Sequence, residues 1–425
     1  MKKKVLIEGP ILTSSGYGEH ARLVYRSLRN NENLEIYLSP LNWGQCSWSL
    51  EDDEETKEIT QLITKTGLAI QNLQPEHWKE VFDIHIHIGI PNEFDRKGKY
   101  CLCVTAGIET NQVSSNWIIK TNGQIDKMIV PSEHAKAGFI NSSYSAMNTE
   151  TEEQVQLTAG CPISVVPYPV KSLEATSPII NLEDDFNFLS VALWGERKNM
   201  ESMVKWFIEE FRQDSVGLVI KTGLAKTSIP DRILTEEKIR ALCDSLGPRN
   251  CKIYLLHGSL TNQEMHSLYV HPKIKAYLTT THGEGFGLPI FEAAYSGLPI
   301  VATDWSGHLD FLSGTVKENN KMKIKKLFAK VDFDLKPVPE RAWWPHIIVK
   351  NSMWAYPKES SFKRQIRNVY KNHGMYKKWS NSLKQQIEDS HSAEEIYKLM
   401  SKEILEGTEV DLNFDNSGGD EVIVL

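Results

Sequence analysis

The chain has 425 residues, of which 40% are hydrophobic and 24% charged, and its formal net charge is −7. This length and balance exclude a fibrous or disordered chain and predict two globular domains with an extension. No apolar run reaches the length of a membrane span, and the basic start breaks at Gly9 and Pro10, too early for a signal peptide. The six cysteines form no CxxC pair, so we expect reduced thiols and a cytoplasmic protein.

Short apolar runs alternate with helical patterns, which predicts parallel, doubly wound sheets. A polar stretch at 168–185 divides the series into two Rossmann-like domains, and the ligand site of such a pair lies in the cleft between them. The predicted strands are 4–7, 34–38, 82–88, 100–106, 127–130, 164–167, 186–194, 216–221, 252–256, 275–280 and 299–303. The predicted domains are 1–170 and 171–345, followed by a helical segment at 346–410 and a flexible tail at 411–425.

A glycine loop, "TSSGYGEH" at 13–20, follows the first strand. The helix after it has Ala21, Val24, Tyr25 and Leu28 on one face. A GxG alone is weak evidence, because a tight turn needs the same residues. A dinucleotide-binding oxidoreductase is one alternative: "GYGEHA" has alanine at the third glycine position, and that class also needs an acidic residue after the second strand.

The strand "DIHIHIGIP" places His85 and His87 on one face. No carboxylate or cysteine stands at ligand spacing nearby in the sequence, so we predict no metal. A buried, hydrogen-bonded histidine is the plainer interpretation for at least one of the two. His87 lies nearer the carboxyl end of the strand, and we expect it in the cleft.

The segment 281–312 places Glu284 in a glycine-rich turn and Glu292 in the helical pattern that follows. Pro289 suits the first turn of that helix and Gly297 its end. The free N–H groups of a helix start attract phosphate. Two carboxylates beside a phosphate site make sense when they accept hydrogen bonds from sugar hydroxyls on either side of a diphosphate. The pattern therefore favours a nucleotide sugar over the alternative, a strand–loop–helix joint with a solvated glutamate.

The string "HGEGFGLPIFEAAYSGLPIVATDWSGHLDFL" resembles the E-x7-E signature of retaining GT-B glycosyltransferases, especially family 4. The stretches 129–139 and 353–372 resemble other parts of that family. The resemblance implies a GT-B fold with a C-terminal helical segment crossing back to the first domain. In such a fold 1–170 would bind the acceptor and 171–345 the nucleotide-sugar donor. The resemblance also implies sugar transfer from a nucleotide-sugar donor, with retention of configuration at the anomeric carbon. The donor would act as co-substrate, and neither a metal nor another cofactor would be required.

The resemblance implies a role for each matching residue. Glu284 would contact hydroxyls of the donor sugar, and Glu292 would hold the donor ribose. Lys198 matches the family lysine at the diphosphate, whereas Leu193 stands where the family has arginine, so Arg197 is the nearest substitute. A solvated helix start is the plainer interpretation of this basic pair. The remaining donor contacts would come from Gly16, Gly18 and the backbone of Gly285, Phe286, Gly287 and Leu288.

The acceptor side departs from the family, because "VTAGIET" has no histidine where many members carry one. Glu109 is the nearest polar candidate, and with Glu284 and His87 it completes the predicted catalytic residues. A non-catalytic sugar-binding protein of the same fold is the second alternative.

The segment 317–378 is basic, with 16 Lys and Arg against 5 Asp and Glu. Its aromatic residues alternate with the basic ones, a pattern that suits a polyanion whose bases stack. We therefore predict acceptor contacts by Lys363, Arg364 and Arg367. The acceptor would be a hydroxylated base in DNA, as for DNA-modifying phage glycosyltransferases, or a glycan. A lipid-linked acceptor at an anionic membrane surface or a small molecule is the alternative, and solvated helix faces with core aromatics are the plainer interpretation.

Overall fold

The computed structural model describes residues 2–74, 77–147, 153–176, 180–318 and 321–408, with the backbone alone at 317 and 318. The tail predicted at 411–425 lies outside these residues. Every predicted strand is present, so the expected alternation of strands and helices is confirmed.

The first domain contains a six-stranded parallel sheet in the order β2-β1-β3-β4-β5-β8. Its strands are β1 (Lys3–Gly9), β2 (Leu34–Pro40), β3 (Ile84–Ile88), β4 (Tyr100–Val104), β5 (Lys127–Val130) and β8 (Ile163–Val165), and β6 (Ser143–Met147) and β7 (Gln154–Thr158) form a separate hairpin. The central strands are buried on both faces, which explains why they read as nearly continuous apolar runs.

Five helices accompany this sheet: α1 (Gly16–Leu28), α2 (Glu54–Ile70), α3 (Trp78–Val81), α4 (Ser115–Gln124) and α5 (Glu133–Ile140). Helix α1 begins at Ser15, whose hydroxyl accepts a hydrogen bond from the Gly18 N–H. Its predicted apolar face is buried in the core of the domain. The helix therefore starts directly behind the carboxyl end of β1, where the glycine loop reaches the cleft.

The second domain repeats this plan, with a six-stranded parallel sheet in the order β11-β10-β9-β12-β13-β16. The elements in chain order are β9 (Asn187–Val191), α6 (Met200–Phe211), β10 (Gly217–Lys221), α7 (Ile229–Ser245), β11 (Lys252–Leu256), α8 (Asn262–Tyr269), β12 (Ile274–Leu278), α9 (Leu288–Tyr295), β13 (Ile300–Thr303), β14 (Ser313–Glu318), β15 (Lys321–Lys326), β16 (Ala329–Val331), β17 (Phe333–Pro337) and β18 (Met353–Pro357). Sequence analysis missed β16 and the hairpins β6–β7, β14–β15 and β17–β18.

Three helices follow: α10 (Glu359–Lys371), α11 (His373–Ser390) and α12 (Ala393–Leu405). The last helix leaves the second domain and packs against α1 of the first. Lys127 of β5 forms ion pairs of 2.6 Å with Glu403 and with Glu406, which follows α12. The predicted return of the C-terminal segment to the first domain is therefore confirmed. Among the described residues, no helix is both long and apolar enough to cross a membrane.

Candidate active site

The glycine-rich turn between β12 and α9 is the centre of the site. Gly287 precedes α9 with a φ of 95°, a conformation that strains any residue with a side chain. Pro289 lies in the first helical turn, and Gly297 follows the helix end with a φ of 78°. The sequence thus specifies this turn locally, and the turn directs the start of α9 toward the first domain.

Glu284 lies in this turn and is 7% exposed. Its Oε1 lies 2.5 Å from Nζ of Lys198, and its Oε2 lies 3.2 Å from Nη1 of Arg197. Both cations come from the loop between β9 and α6, and Arg197 also donates to the Gly283 carbonyl at 2.6 Å. The hydroxyl of Ser306 accepts the Glu284 N–H at 2.9 Å. The carboxylate is therefore held in one position by both its side chain and its backbone.

The first domain contributes a fourth charge to this group. Glu109 Oε1 lies 2.7 Å from Nη2 of Arg197. The segment that carries Glu109 is also bound to the glycine loop, because the Tyr17 hydroxyl accepts from the Ala106 N–H and lies 2.9 Å from Oγ1 of Thr105. Two carboxylates and two cations thus meet across the cleft, one carboxylate from each domain.

The pKa values follow from burial and from this mixture of charges. Burial raises the pKa of Glu284, but the charges of Lys198 and Arg197 outweigh it and bring the pKa to about 2. Burial and the Arg197 charge lower the pKa of Lys198, while Glu284 opposes them. Burial raises the pKa of Glu109; the Arg197 charge opposes this, and the Glu284 charge adds to it. Burial and neighbouring charges therefore shift the pKa values of Glu284, Lys198 and Glu109, and such shifts are common in binding and catalytic sites.

Glu292 lies one turn into α9 and lines a separate small cavity. Its Oε2 accepts a hydrogen bond of 2.9 Å from the Tyr269 hydroxyl. The cavity has a volume of about 10 Å³, and Glu19 and Lys171 also line it. Those two side chains form an ion pair of 3.2 Å between the first domain and the segment that joins the domains. Burial raises the pKa of Glu292, although Lys171 and Tyr269 oppose the shift.

Four polar residues of the site were not predicted from the sequence: Glu19, Lys171, Tyr269 and Ser306. Glu19 stands inside the glycine loop at 13–20, for which the sequence predicted ligand contacts at the glycines and none by the Glu19 side chain. Lys171 lies in the polar stretch that separates the domains, and a linker crossing the cleft is visible only in three dimensions. A polar residue of this kind in an interdomain linker is the one signal that could have found it.

The two glycines of the N-terminal loop have different surroundings. A β-carbon on Gly16 would lie 3.7 Å from the Leu288 side chain, so this loop faces the start of α9. A β-carbon on Gly18 would lie 2.2 Å from the Thr13 carbonyl oxygen, so Gly18 serves close packing within its own loop. Phe286 is 3% exposed and packs with Phe291 and Phe311, which leaves only its backbone for a ligand.

The structure does not place His87 in the cleft. His87 Nδ1 and His85 Nε2 lie 3.4 and 3.2 Å from the same oxygen of Glu8, and the other oxygen of Glu8 lies 2.5 Å from Nζ of Lys97. Spacing along the sequence did not reveal this carboxylate, because β1 pairs with β3 and so brings Glu8 beside His87. A role for His87 at the reacting centre has no support from this position.

Glu8, His85 and His87 place three ligand atoms within 4.8 Å of one another, a set that can bind a divalent ion. Burial raises the pKa of Glu8, but hydrogen bonds from the two histidines and Lys97 outweigh it and hold the pKa far below its usual range. The carboxylate is thus ionised and already balanced by the Lys97 ammonium. The plainest role of the cluster is a buried ion pair that orders the face of the sheet opposite α1.

Lys363, Arg364 and Arg367 also lie outside the cleft, so their position gives the predicted acceptor contacts no support. They stand on α10, which packs against α6 and β16. Each is paired with acidic side chains: Lys363 with Glu209 and Glu359, Arg364 with Asp332, and Arg367 with Glu210 and Asp214. Asp214 precedes β10, so Arg367 lies at the amino ends of the strands, whereas the cleft lies at their carboxyl ends. The basic residues of α10 therefore compensate acids of α6, of nearby loops and of α10 itself.

Several aromatic residues of the same segment are buried in the protein. Phe328, Trp354 and Phe362 are at most 2% exposed, whereas Trp344 is 56% exposed.

A groove of about 1130 Å³, including its open side, lies between α7 and β11 and contains none of the predicted site residues. Its size reflects an open sheet edge, so we place the candidate site at the charged group of Glu284.

No known family model and no curated protein sequence matches the chain. Solved structures match it over nearly the whole length. HepE (Alr3699) of Anabaena, in complex with UDP and glucose, is 11% identical with a TM-score of 0.57, covering 94% of this chain and 98% of that one. Sucrose-phosphate synthase from Thermosynechococcus elongatus is 12% identical with a TM-score of 0.58 and the same coverage.

The third similar structure is an E. coli protein, described as trehalose-6-phosphate from E. coli, bound with UDP-2-fluoro glucose. It is 9% identical with a TM-score of 0.55 and covers 95% of this chain and 99% of that one. At such identities the likeness shows the fold. The predicted architecture, two Rossmann-like domains in the GT-B arrangement with a returning C-terminal segment, is confirmed.

Proposed function

We propose that the protein is a glycosyltransferase that moves a sugar from a nucleotide-sugar donor to a hydroxyl acceptor. The observation that carries the proposal is the position of Glu284, which meets Arg197 and Lys198 directly before the start of α9 in the cleft of a GT-B fold. The similar structures of HepE and of the E. coli protein hold UDP and UDP-2-fluoro glucose respectively, which supports the same donor class here.

The chemistry follows from these groups. Arg197, Lys198 and the Leu288 N–H at the start of α9 would stabilise the negative charge that develops on a leaving diphosphate. Glu284 would accept hydrogen bonds from the donor sugar, and Glu292 from the ribose. We further propose retention at the anomeric carbon, as in the family 4 enzymes that the motif resembles. The leaving phosphate oxygen would take the acceptor proton, so no protein base is needed.

For the acceptor, we propose a hydroxyl group of a glycan rather than of a nucleic acid. The argument for DNA depended on a basic surface at Lys363, Arg364 and Arg367, and these side chains are paired within the protein. The net charge of −7 also opposes association with a polyanion.

An oxidoreductase is a weaker alternative. A dinucleotide-binding domain uses an acidic residue after its second strand to bind the ribose. Here β2 ends at Pro40, and the first acidic residue after it is Glu51. Glu51 accepts hydrogen bonds of 2.8 and 2.9 Å from Asn262 of the second domain, so it is not free for a ribose.

A thermal-shift panel of nucleotide sugars, nucleoside diphosphates and NAD(P)H tests the proposal. A ligand at about 100 times its Kd should stabilise the protein by about 3 kcal/mol. We expect one nucleoside diphosphate and its sugar conjugates to give such a shift. Stabilisation by NAD(P)H alone, with oxidation of alcohols, would replace the proposal with the alternative.

A further inference from the structure

The segment 106–109 of the first domain lies directly on the glycine turn of the second. A β-carbon on Gly285 would lie 1.8 Å from the Ala106 carbonyl oxygen, and one on Gly283 would lie 2.1 Å from that of Glu109. These distances are far below van der Waals contact, so the two backbones meet where only glycine fits. The segment therefore covers the backbone surface that the proposed function assigns to the donor sugar and phosphate.

The cations of the site are already engaged. Arg197 is bound to Glu109, Glu284 and the Gly283 carbonyl, and Lys198 is bound to Glu284. Two positive and two negative side chains make the group neutral. None of these four side chains is more than 27% exposed, so the charges interact through a medium less polar than water.

A diphosphate would add at least two negative charges to this neutral group. Glu284 is held by two cations and by the contact of its N–H with Ser306, whereas the carboxylate of Glu109 is held by Arg197. Repulsion would therefore release Glu109 first. The cavity at Glu292, about 10 Å³, is also far smaller than the roughly 300 Å³ that a small-molecule site needs. A donor can enter only if the covering segment moves.

We propose that Glu109 is an internal competitor of the donor diphosphate. Its carboxylate occupies Arg197 and holds the segment 106–109 on the donor surface, and the bound donor displaces both. This inference rests on the proposed function and adds a group that sets donor affinity. It also gives Glu109 a role that differs from proton transfer, because the glutamate acts on donor binding and not on the acceptor hydroxyl.

Calorimetric titration with UDP tests the proposal on the wild type, Glu109→Gln and a matched control, Glu93→Gln. Glu93 is an exposed glutamate of the same domain, so its replacement changes the net charge equally. We expect Glu109→Gln to bind UDP about tenfold more tightly, the size of one competing ion pair, with the control unchanged. An affinity of Glu109→Gln equal to or weaker than that of the wild type overturns the proposal.

A second measurement needs no variant. Hydrogen–deuterium exchange of the wild type should show faster exchange in peptides spanning 105–110 when UDP saturates the protein, because the segment leaves the glycine turn. Slower exchange there would contradict the displacement. If the wild type binds UDP and both tests are negative, only this inference fails. If UDP and nucleotide sugars bind none of the three proteins, the proposed function fails with it.

Discussion

Replacing Glu284 with glutamine should destabilise the protein in a pH-dependent way. The ordinary pKa of a glutamate is 4.5, and the Glu284 carboxyl titrates near 2. This interval corresponds to about 3 kcal/mol of folding free energy. Because the folded pKa is the lower one, the contribution is fully present above pH 4.5 and is lost as the pH falls toward 2. Glutamine keeps the shape but leaves Lys198 and Arg197 without their shared carboxylate.

Urea unfolding at pH 7 and pH 4 measures this difference. At pH 7 we expect Glu284→Gln to unfold with a free energy on the order of 3 kcal/mol below that of the wild type. At pH 4 the gap should be narrower by about 1 kcal/mol, because the wild type has begun to lose the contribution. Glu93→Gln should follow the wild type at both values. Equal stability of Glu284→Gln and wild type at pH 7, or a gap that widens at pH 4, would refute the assigned charge network.

Three further predictions concern the donor site, α10 and metals. Glu292→Gln should weaken UDP binding about fivefold in calorimetry, the difference between a charge-assisted and a neutral hydrogen bond, while the Tyr269 contact and thermal stability persist; an unchanged Kd would remove Glu292 from the site. Arg367→Ala should lower the free energy of unfolding by about 1–2 kcal/mol without changing UDP affinity or sugar transfer, and a selective loss of transfer would restore α10 as an acceptor site. Transfer should survive EDTA, whereas complete loss that Mn²⁺ restores would direct attention to Glu8, His85 and His87.

The glycine turn could be predicted from sequence because its determinants are local. Gly287, Pro289 and Gly297 lie within eleven residues; the two glycines have positive φ angles, and Pro289 suits the first turn of the helix. The strands of the two large sheets could also be predicted, because parallel strands buried on both faces appear as apolar runs in the sequence. Fold class and the position of Glu284 followed from these two kinds of pattern.

The failed predictions depended on contacts between distant parts of the chain. Glu8 precedes His85 by 77 positions and reaches it only through the register of β1 and β3. The charge of Arg367 appeared free because a count along one segment omits Glu210, on the neighbouring helix α6, and Asp214, in the loop after that helix. The strand β15 was missed because "KMKIKK" was interpreted by its charge, although Met322 and Ile324 alternate with lysines as in a strand.

The most direct test of the account is donor turnover without an acceptor. The purified protein, supplied with the nucleotide sugar that stabilises it most, should slowly release nucleoside diphosphate and free sugar, and Lys198→Ala should reduce that rate by at least about tenfold because the leaving diphosphate loses a cation. The control Glu93→Gln should match the wild type. Release at an equal rate by wild type and Lys198→Ala, or no binding of any nucleotide sugar, would contradict the claim that this cleft is a glycosyl-transfer site.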